Sequence, residues 1–259
     1  MFDWLSYLTQ PLGYAFMVRG LMAALIVGIV CAVLGSYIVL RGMAFLGDAL
    51  AHAILPGIAV AYLLAGSNPL WLSAGALAAG VLTALGIGAI SRGGVKEDTA
   101  IGVMFAGMFA LGIALISTVR SYTVDLTHFL FGDVLGVSSG DLWLTGLFGG
   151  LVIVTVLAFY KEFLVLSFDP LLARTLRLPA NFLNYLLLLL IAITIVLSLQ
   201  TVGIALMAAM LVTPAAAAYL LSRRLPVMMA LAATIGAVSA VSGLYLSFYV
   251  NVASGPAIV

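Results

Sequence analysis

The chain has 259 residues, 65% of them hydrophobic and 7% charged, with a formal net charge of +1, whereas ordinary globular proteins run at about 45–50% and about 25%. This composition excludes a soluble core and leaves no room for a soluble catalytic domain, because at about 20 apolar residues per transmembrane helix about eight spans fill the length. The small net charge gives no footing for nucleic acid, and the lone Cys31 can form neither an intrachain disulfide nor a multi-thiolate metal site.

The opening residues MFDWLSYLTQPLGYAF lack the basic region and small-residue cleavage site of a signal peptide, so the first helix is expected to stay. Phe2, Trp4, Leu5, Tyr7 and Leu8 predict an aromatic-anchored interfacial segment over 1–14. Beyond it, apolar runs read against charges and Gly/Pro breaks predict eight transmembrane helices, over 15–40, 43–64, 70–91, 99–120, 141–160, 181–198, 201–221 and 226–250. The expected fold class is therefore an all-α polytopic membrane protein.

Sidedness follows from the basic residues. Eight of the ten, Arg41, Arg92, Lys96, Lys161, Arg174, Arg177, Arg223 and Arg224, fall in the first, third, fifth and seventh connections. The second connection and the sixth, at Leu199 and Gln200, carry no charge, while the fourth holds Asp125, Asp133 and Asp141 against Arg120 alone. The positive-inside rule puts the odd connections in the cytoplasm and the N-terminus outside.

The second run, RGMAFLGDALAHAILPG, contains Asp48 and His52. An Asp at the bilayer centre costs about 2.5–3.5 kcal/mol on insertion scales, so a partner or a function has to accompany it. At i and i+4 the two side chains share a helix face, close enough to bind one ion. Carboxylate oxygen with imidazole nitrogen suits divalent manganese, iron or zinc. Two ligands are too few, but a symmetric homodimer with this helix at its axis supplies four. The alternative is that the pair hydrogen-bonds to itself or to a neighbouring backbone and only holds helices together. Pro56 cannot donate a backbone hydrogen bond and crowds the carbonyl of His52, so a kink is expected there.

The fifth connection, over 161–180, is the longest on the cytoplasmic side and predicts a short surface helix. Asp169 can cap it, Pro170 fits its first position and Pro179 stops it. Leu171, Leu172 and Leu176 give it an apolar side, with Arg174 and Arg177 towards solvent or a partner. The alternative is a connector resting its leucines on lipid. Of the remaining polar residues, His128 reads as exposed or interfacial near the outer mouth, and Asn184 and Gln200 as interhelical hydrogen-bonding groups. Thr213-Pro214 predicts a second kink. Spacings such as Gly146 to Gly150 carry little weight in a chain with 27 glycines.

No GxxxxGK[ST] occurs, so the chain has no Walker loop for ATP, and HExxH and GxSxG are absent too. The segments RGMAFLGDALAHAILPGIAVAYLL, FDPLLARTLRLP, QTVGIALMAAMLVTPAAAAYLL and SGPAIV together resemble the membrane subunits of bacterial ABC importers for zinc, manganese or iron. The resemblance runs over nearly the whole chain, and it implies a homodimeric permease, similar in outline to the vitamin-B12-type importers, in the bacterial inner membrane. It also implies a second copy of the chain, a cytoplasmic ABC ATPase dimer and an extracellular metal-binding protein as partners, no permanently bound cofactor, and a transported divalent metal ion. Within that family the Asp and His matching Asp48 and His52 are translocation-path ligands, and the FDP segment matches the coupling helix, which seats on the ATPase. The family usually continues past SGPAIV with a further apolar segment, where this chain stops at Val259. A proton-coupled secondary transporter or channel without an ATPase is the alternative from another class, followed by an intramembrane hydrolase; the coupling segment discriminates, because it needs a soluble partner.

Overall fold

The computed structural model describes residues 9–118 and 134–259. The expectations placed on Phe2 to Leu8, Arg120, Asp125, His128 and Asp133 lie outside these residues. Every regular element among the described residues is helical, as a chain in hydrocarbon requires when each backbone polar group has to find its partner within its own segment.

The first helix, α1 (Ala15–Leu40), spans where the apolar run predicts. The second span is divided into α2 (Leu46–Ala53) and α3 (Leu55–Ala65), followed by α4 (Pro69–Arg92) and α5 (Glu97–Ser117). After the undescribed stretch come α6 (Ser139–Ala158), α7 (Tyr160–Phe168) and α8 (Pro170–Thr175), then α9 (Ala180–Val202), α10 (Ile204–Leu221), α11 (Leu225–Val250) and α12 (Ser254–Ile258). Taking α2 with α3 as one, eight of these are long and apolar enough to cross a membrane.

The sixth connection differs from expectation. Gln200 does not end a helix: α9 runs on to Val202, and the turn is the single residue Gly203, at φ 84°, a left-handed conformation that a side chain would strain. Pro214 removes one hydrogen bond from α10 without ending it, and the helix is continuous to Leu221.

The chain divides into two compact units, Met1–Ser36 with Leu126–Leu151 and Ser198–Val259, and Tyr37–Asp125 with Val152–Leu197. In the first unit, α1 contributes Ala23, Ala24, Val27, Cys31 and Leu34 to the core. The Cys31 sulfur lies 3.6 Å from Ser198 Oγ in that core, consistent with apolar filler. Asn251, in a left-handed conformation, ends α11, and Ser247 Oγ donates to the Val252 carbonyl, so that α12 folds back onto α11 at Gly243.

In the second unit, α9 is the most apolar and most buried span, with Leu183, Leu187, Ile191 and Ile195 in the core. The tightest packing there joins α3 to α4. Gly57 faces the Gly75 carbonyl and Ala79 Cβ, while Gly75 faces the Gly57 carbonyl and Ala61 Cβ, so each helix presents a Gly-xxx-Ala step to the other. Gly146 and Gly150 form no such approach. Trp71 and Trp143, near the first residues of α4 and α6, are exposed, as interfacial aromatics are.

A Cβ on Gly57 would run into the Gly75 backbone and stand 2.6 Å from Ala79 Cβ, leaving no flexible atom to give way. Gly57→Val is therefore expected to destabilise the purified protein by at least about 1–3 kcal/mol, the ordinary cost of overpacking. Gly102→Ala, which meets nothing within 4 Å, is expected to be harmless. Thermal unfolding in detergent measures both; an unchanged midpoint for Gly57→Val would contradict the contact.

Candidate functional site

Asp48 and His52 lie on α2, an eight-residue helix whose Leu46, Gly47, Ala49, Leu50, Ala51 and Ala53 are buried. That burial orients the other face, carrying the carboxylate and the imidazole, away from the packed side. Asp48 is in the first turn and His52 in the last, the ends at which a helix dipole favours an acid and a base respectively.

His52 Nε2 stands 3.7 Å from Asp48 Oδ1, beyond hydrogen-bonding distance, and among the described residues neither side chain has a hydrogen bond. Asp48 is 48% exposed and His52 27%. The structure thus brings the two together on one face at ion-pair distance, without a hydrogen bond between them. Among the described residues no third His, Cys, Asp or Glu joins them, so one chain offers two ligands.

One flank of the site is aromatic. The His52 ring meets Phe109 of α5 edge-on at a centroid distance of 5.6 Å and Phe105 at 6.2 Å. Phe105 and Phe109 stack at 5.5 Å, and Phe45 closes edge-on against Phe105. These rings give the imidazole an apolar wall on one side. Sequence reasoning missed them, although the i, i+4 spacing of Phe105 and Phe109 was the available signal.

The break between α2 and α3 falls at Ile54, where the proline rule places it. The Ile54 N–H turns back to the His52 carbonyl, the acceptor that Pro56 cannot reach, so the freed carbonyl is satisfied locally. Pro56 itself is buried as the second residue of α3.

The segment over 161–180 is more helical than a loop. Phe163 of α7 is buried edge-on against Tyr37 at 5.8 Å. Asp169 is extended, and its Oδ1 accepts from the Leu171 N–H at 2.9 Å and the Leu172 N–H at 3.0 Å, an N-cap that leaves Pro170 at the first helical position. The side chains of Pro170 and Arg174 lie outside the described set. The helix stops at Thr175: Arg177 is left-handed at φ 57° and the Leu178 N–H reaches the Ala173 carbonyl, a Schellman-type end ahead of Pro179. Arg177 thus belongs to the terminating turn, not to the helix. Ala173 is wholly buried, whereas Leu171, Leu172 and Leu176 are exposed, leaving an apolar surface on a helix too short to stand alone.

Three connections meet in this unit. Arg41, just after α1, donates through Nη1 to Asn184 Oδ1 of α9 at 2.6 Å and lies 3.6 Å from Glu97 Oε1, the first residue of α5. Its side chain is 6% exposed. Burial pulls the guanidinium below its ordinary pKa, opposed by the Glu97 carboxylate. The contact puts the first, third and fifth connections on one side, which the charge distribution had assigned to the cytoplasm.

The ABC 3 transport family matches residues 13–259 of this chain. The manganese transport system membrane protein MntC of Halalkalibacterium halodurans is 48% identical over 254 residues, covering 98% of this chain and 86% of that protein. The chelated iron transport system membrane protein YfeD of Yersinia pestis is 41% identical over 255 residues, 98% of this chain and 84% of that one. Among solved structures, PsaBC from Streptococcus pneumoniae in complex with Fab superposes with a TM-score of 0.81 at 40% identity, covering 98% of this chain and 90% of the other.

Removing the Asp169 carboxylate tests the local construction of α8. Asp169→Ala leaves two N–H groups without their acceptor and is expected to cost about 1 kcal/mol of local stability. Amide hydrogen exchange at Leu171 and Leu172 is expected to quicken while the amides of α9 keep their protection. Unchanged exchange at both would show that the cap does not hold the helix.

Proposed function

The chain belongs to the ABC 3 transport family, and we propose that it is the membrane-spanning permease of an ATP-driven importer for a divalent transition metal, manganese, iron or zinc. It is a multi-pass bacterial membrane protein and a transport subunit. The observation that carries the reading is the Asp48–His52 pair, half-exposed and without a hydrogen bond on a membrane span, beside relatives named for manganese and iron transport.

In this reading all 259 residues form one permease domain, and two copies flank a two-fold axis. Two carboxylates and two imidazoles then make a four-ligand site for a hard-to-borderline divalent ion. An extracellular metal-binding protein delivers the ion, and no cofactor is retained. A separate cytoplasmic ATPase pair seats against α8, where Leu171, Leu172 and Leu176 offer an apolar surface and the Asp169 cap with its Pro170 start holds the helix ready. Arg174 and Arg177 complete that segment. ATP-driven closure is felt through α8, and the ion leaves because the site binds it more weakly in one state than in the other. Pro56 and Pro214 are the helix positions assigned to gating in that cycle, since each lacks a backbone donor. A secondary transporter would have no use for the exposed leucines of α8, which favours the ATP-driven reading.

Asp48→Ala and His52→Ala are each expected to abolish metal uptake, to below about a tenth of wild type, in vesicles reconstituted with the partner subunits. Insertion and the unfolding midpoint are expected to hold, because no hydrogen bond is lost. Near-normal uptake by both variants would overturn the ligand assignment.

Leu172→Asp is expected to abolish co-purification with the ATPase, since docking would bury an unpaired charge. Recovery of the complex at wild-type yield would make the segment a connector only.

A further inference from the structure

One polar feature of the second unit has no role in carrying a cation. A cavity of about 320 Å³ opens where Arg41, Ser91, Arg92, Lys96, Glu97 and Asn184 converge. Three cations face a single carboxylate, so its walls carry a net charge of +2. A divalent metal ion would be repelled, which separates the cavity from the Asp48–His52 path.

The walls are built for an acceptor. Arg41 brings a guanidinium whose side chain is almost wholly out of solvent, and only its Nη1 is engaged by Asn184 and Glu97. Arg has five N–H donors in a planar fork, the group best matched to phosphate oxygens. Ser91 Oγ is sealed from solvent and, among the described residues, has no hydrogen-bond partner. Arg92 and Lys96 are exposed at the rim. Glu97 and Ala180 are the first residues of α5 and α9, so the positive ends of two helix dipoles border the same space.

We propose that this cavity binds a phosphate-bearing anion. Its residues lie at the ends of four spans, the depth of lipid headgroups, and basic pockets between transmembrane helices on the cytoplasmic side are suited to anionic headgroups. A soluble phosphate offers the same chemistry. In either case the anion neutralises the excess charge and braces the ends of α1, α4, α5 and α9. Leu166 also lines the cavity, three residues before the cap of α8, so occupancy bears on the base from which the coupling segment projects.

The purified full chain in detergent tests this through its thermal midpoint and native mass spectrometry, with phosphatidylglycerol, phosphatidylcholine, or inorganic phosphate matched in ionic strength by chloride. Phosphatidylglycerol is expected to raise the midpoint by at least about 3 °C over phosphatidylcholine and to stay bound, as a ligand selective for the folded state does. Arg92→Gln combined with Lys96→Gln changes only exposed rim residues and leaves the Arg41 contacts in place. That variant is expected to lose most of the shift and to bind at least about five-fold more weakly. If inorganic phosphate alone reproduces the shift and competes with the lipid, the source is a soluble phosphate; if it does neither, the source is the lipid headgroup. Equal midpoints in both lipids with no effect of phosphate, or an undiminished shift in the double variant, would overturn the proposal. None of these readings depends on metal transport, so their failure leaves the proposed function untouched.

Discussion

The cost of a polar group in hydrocarbon organises this molecule. Backbone groups meet it by staying helical, and several serines and threonines meet it by turning to their own helix, as Ser36 does to Ala32 and Thr83 to Ala79. Arg41 meets it with Asn184 and Glu97. Asp48 has no hydrogen bond among the described residues, and the ionisable group beside it is His52 at 3.7 Å. Its packing neighbours on α2 hold it on the open face, and the aromatic rings of α5 offer the adjoining imidazole shape but no acceptor. An ionisable group placed in this way on a membrane span is costly, and such residues are as a rule functional or paired.

The same logic separates two polar regions of the second unit. Around α2 the uncompensated charge is negative and suits a metal cation. Around Arg41 it is positive and suits an anion. One unit thus keeps two polar regions of opposite sign apart, on different groups.

Much of this was legible in the sequence because membrane constraints are written in composition. Apolar run length alone located α1, α4 and α11 to within a residue or so, and the basic residues grouped connections that the Arg41 contacts bring together. Asp169-Pro170 read as a helix start because capping is local chemistry, and Pro56 located the break beside His52 for the same reason. What stayed hidden was either ambiguous or distant. Gln200 looked like a boundary because it is polar, yet a helix end tolerates an exposed amide, and the true turn used one glycine among many. Gly57 and Gly75 carried a small-residue spacing, but nothing in one sequence says which of many such spacings meet. The Arg41–Asn184 bond joins residues 143 apart, a separation at which periodicity is silent.

The break at Ile54 also sets a mechanical ratio. α3 is fastened to α4 through Gly57 and Gly75, whereas α2 begins at a turn and ends where the helical ladder is interrupted. With a rise of about 1.5 Å per residue, Asp48 sits about 9 Å from Ile54 along the axis and His52 about 3 Å. A tilt of α2 about that point carries the carboxylate roughly three times as far as the imidazole. The two side chains are therefore geared differently to one such tilt: the carboxylate travels while the imidazole nearly stays.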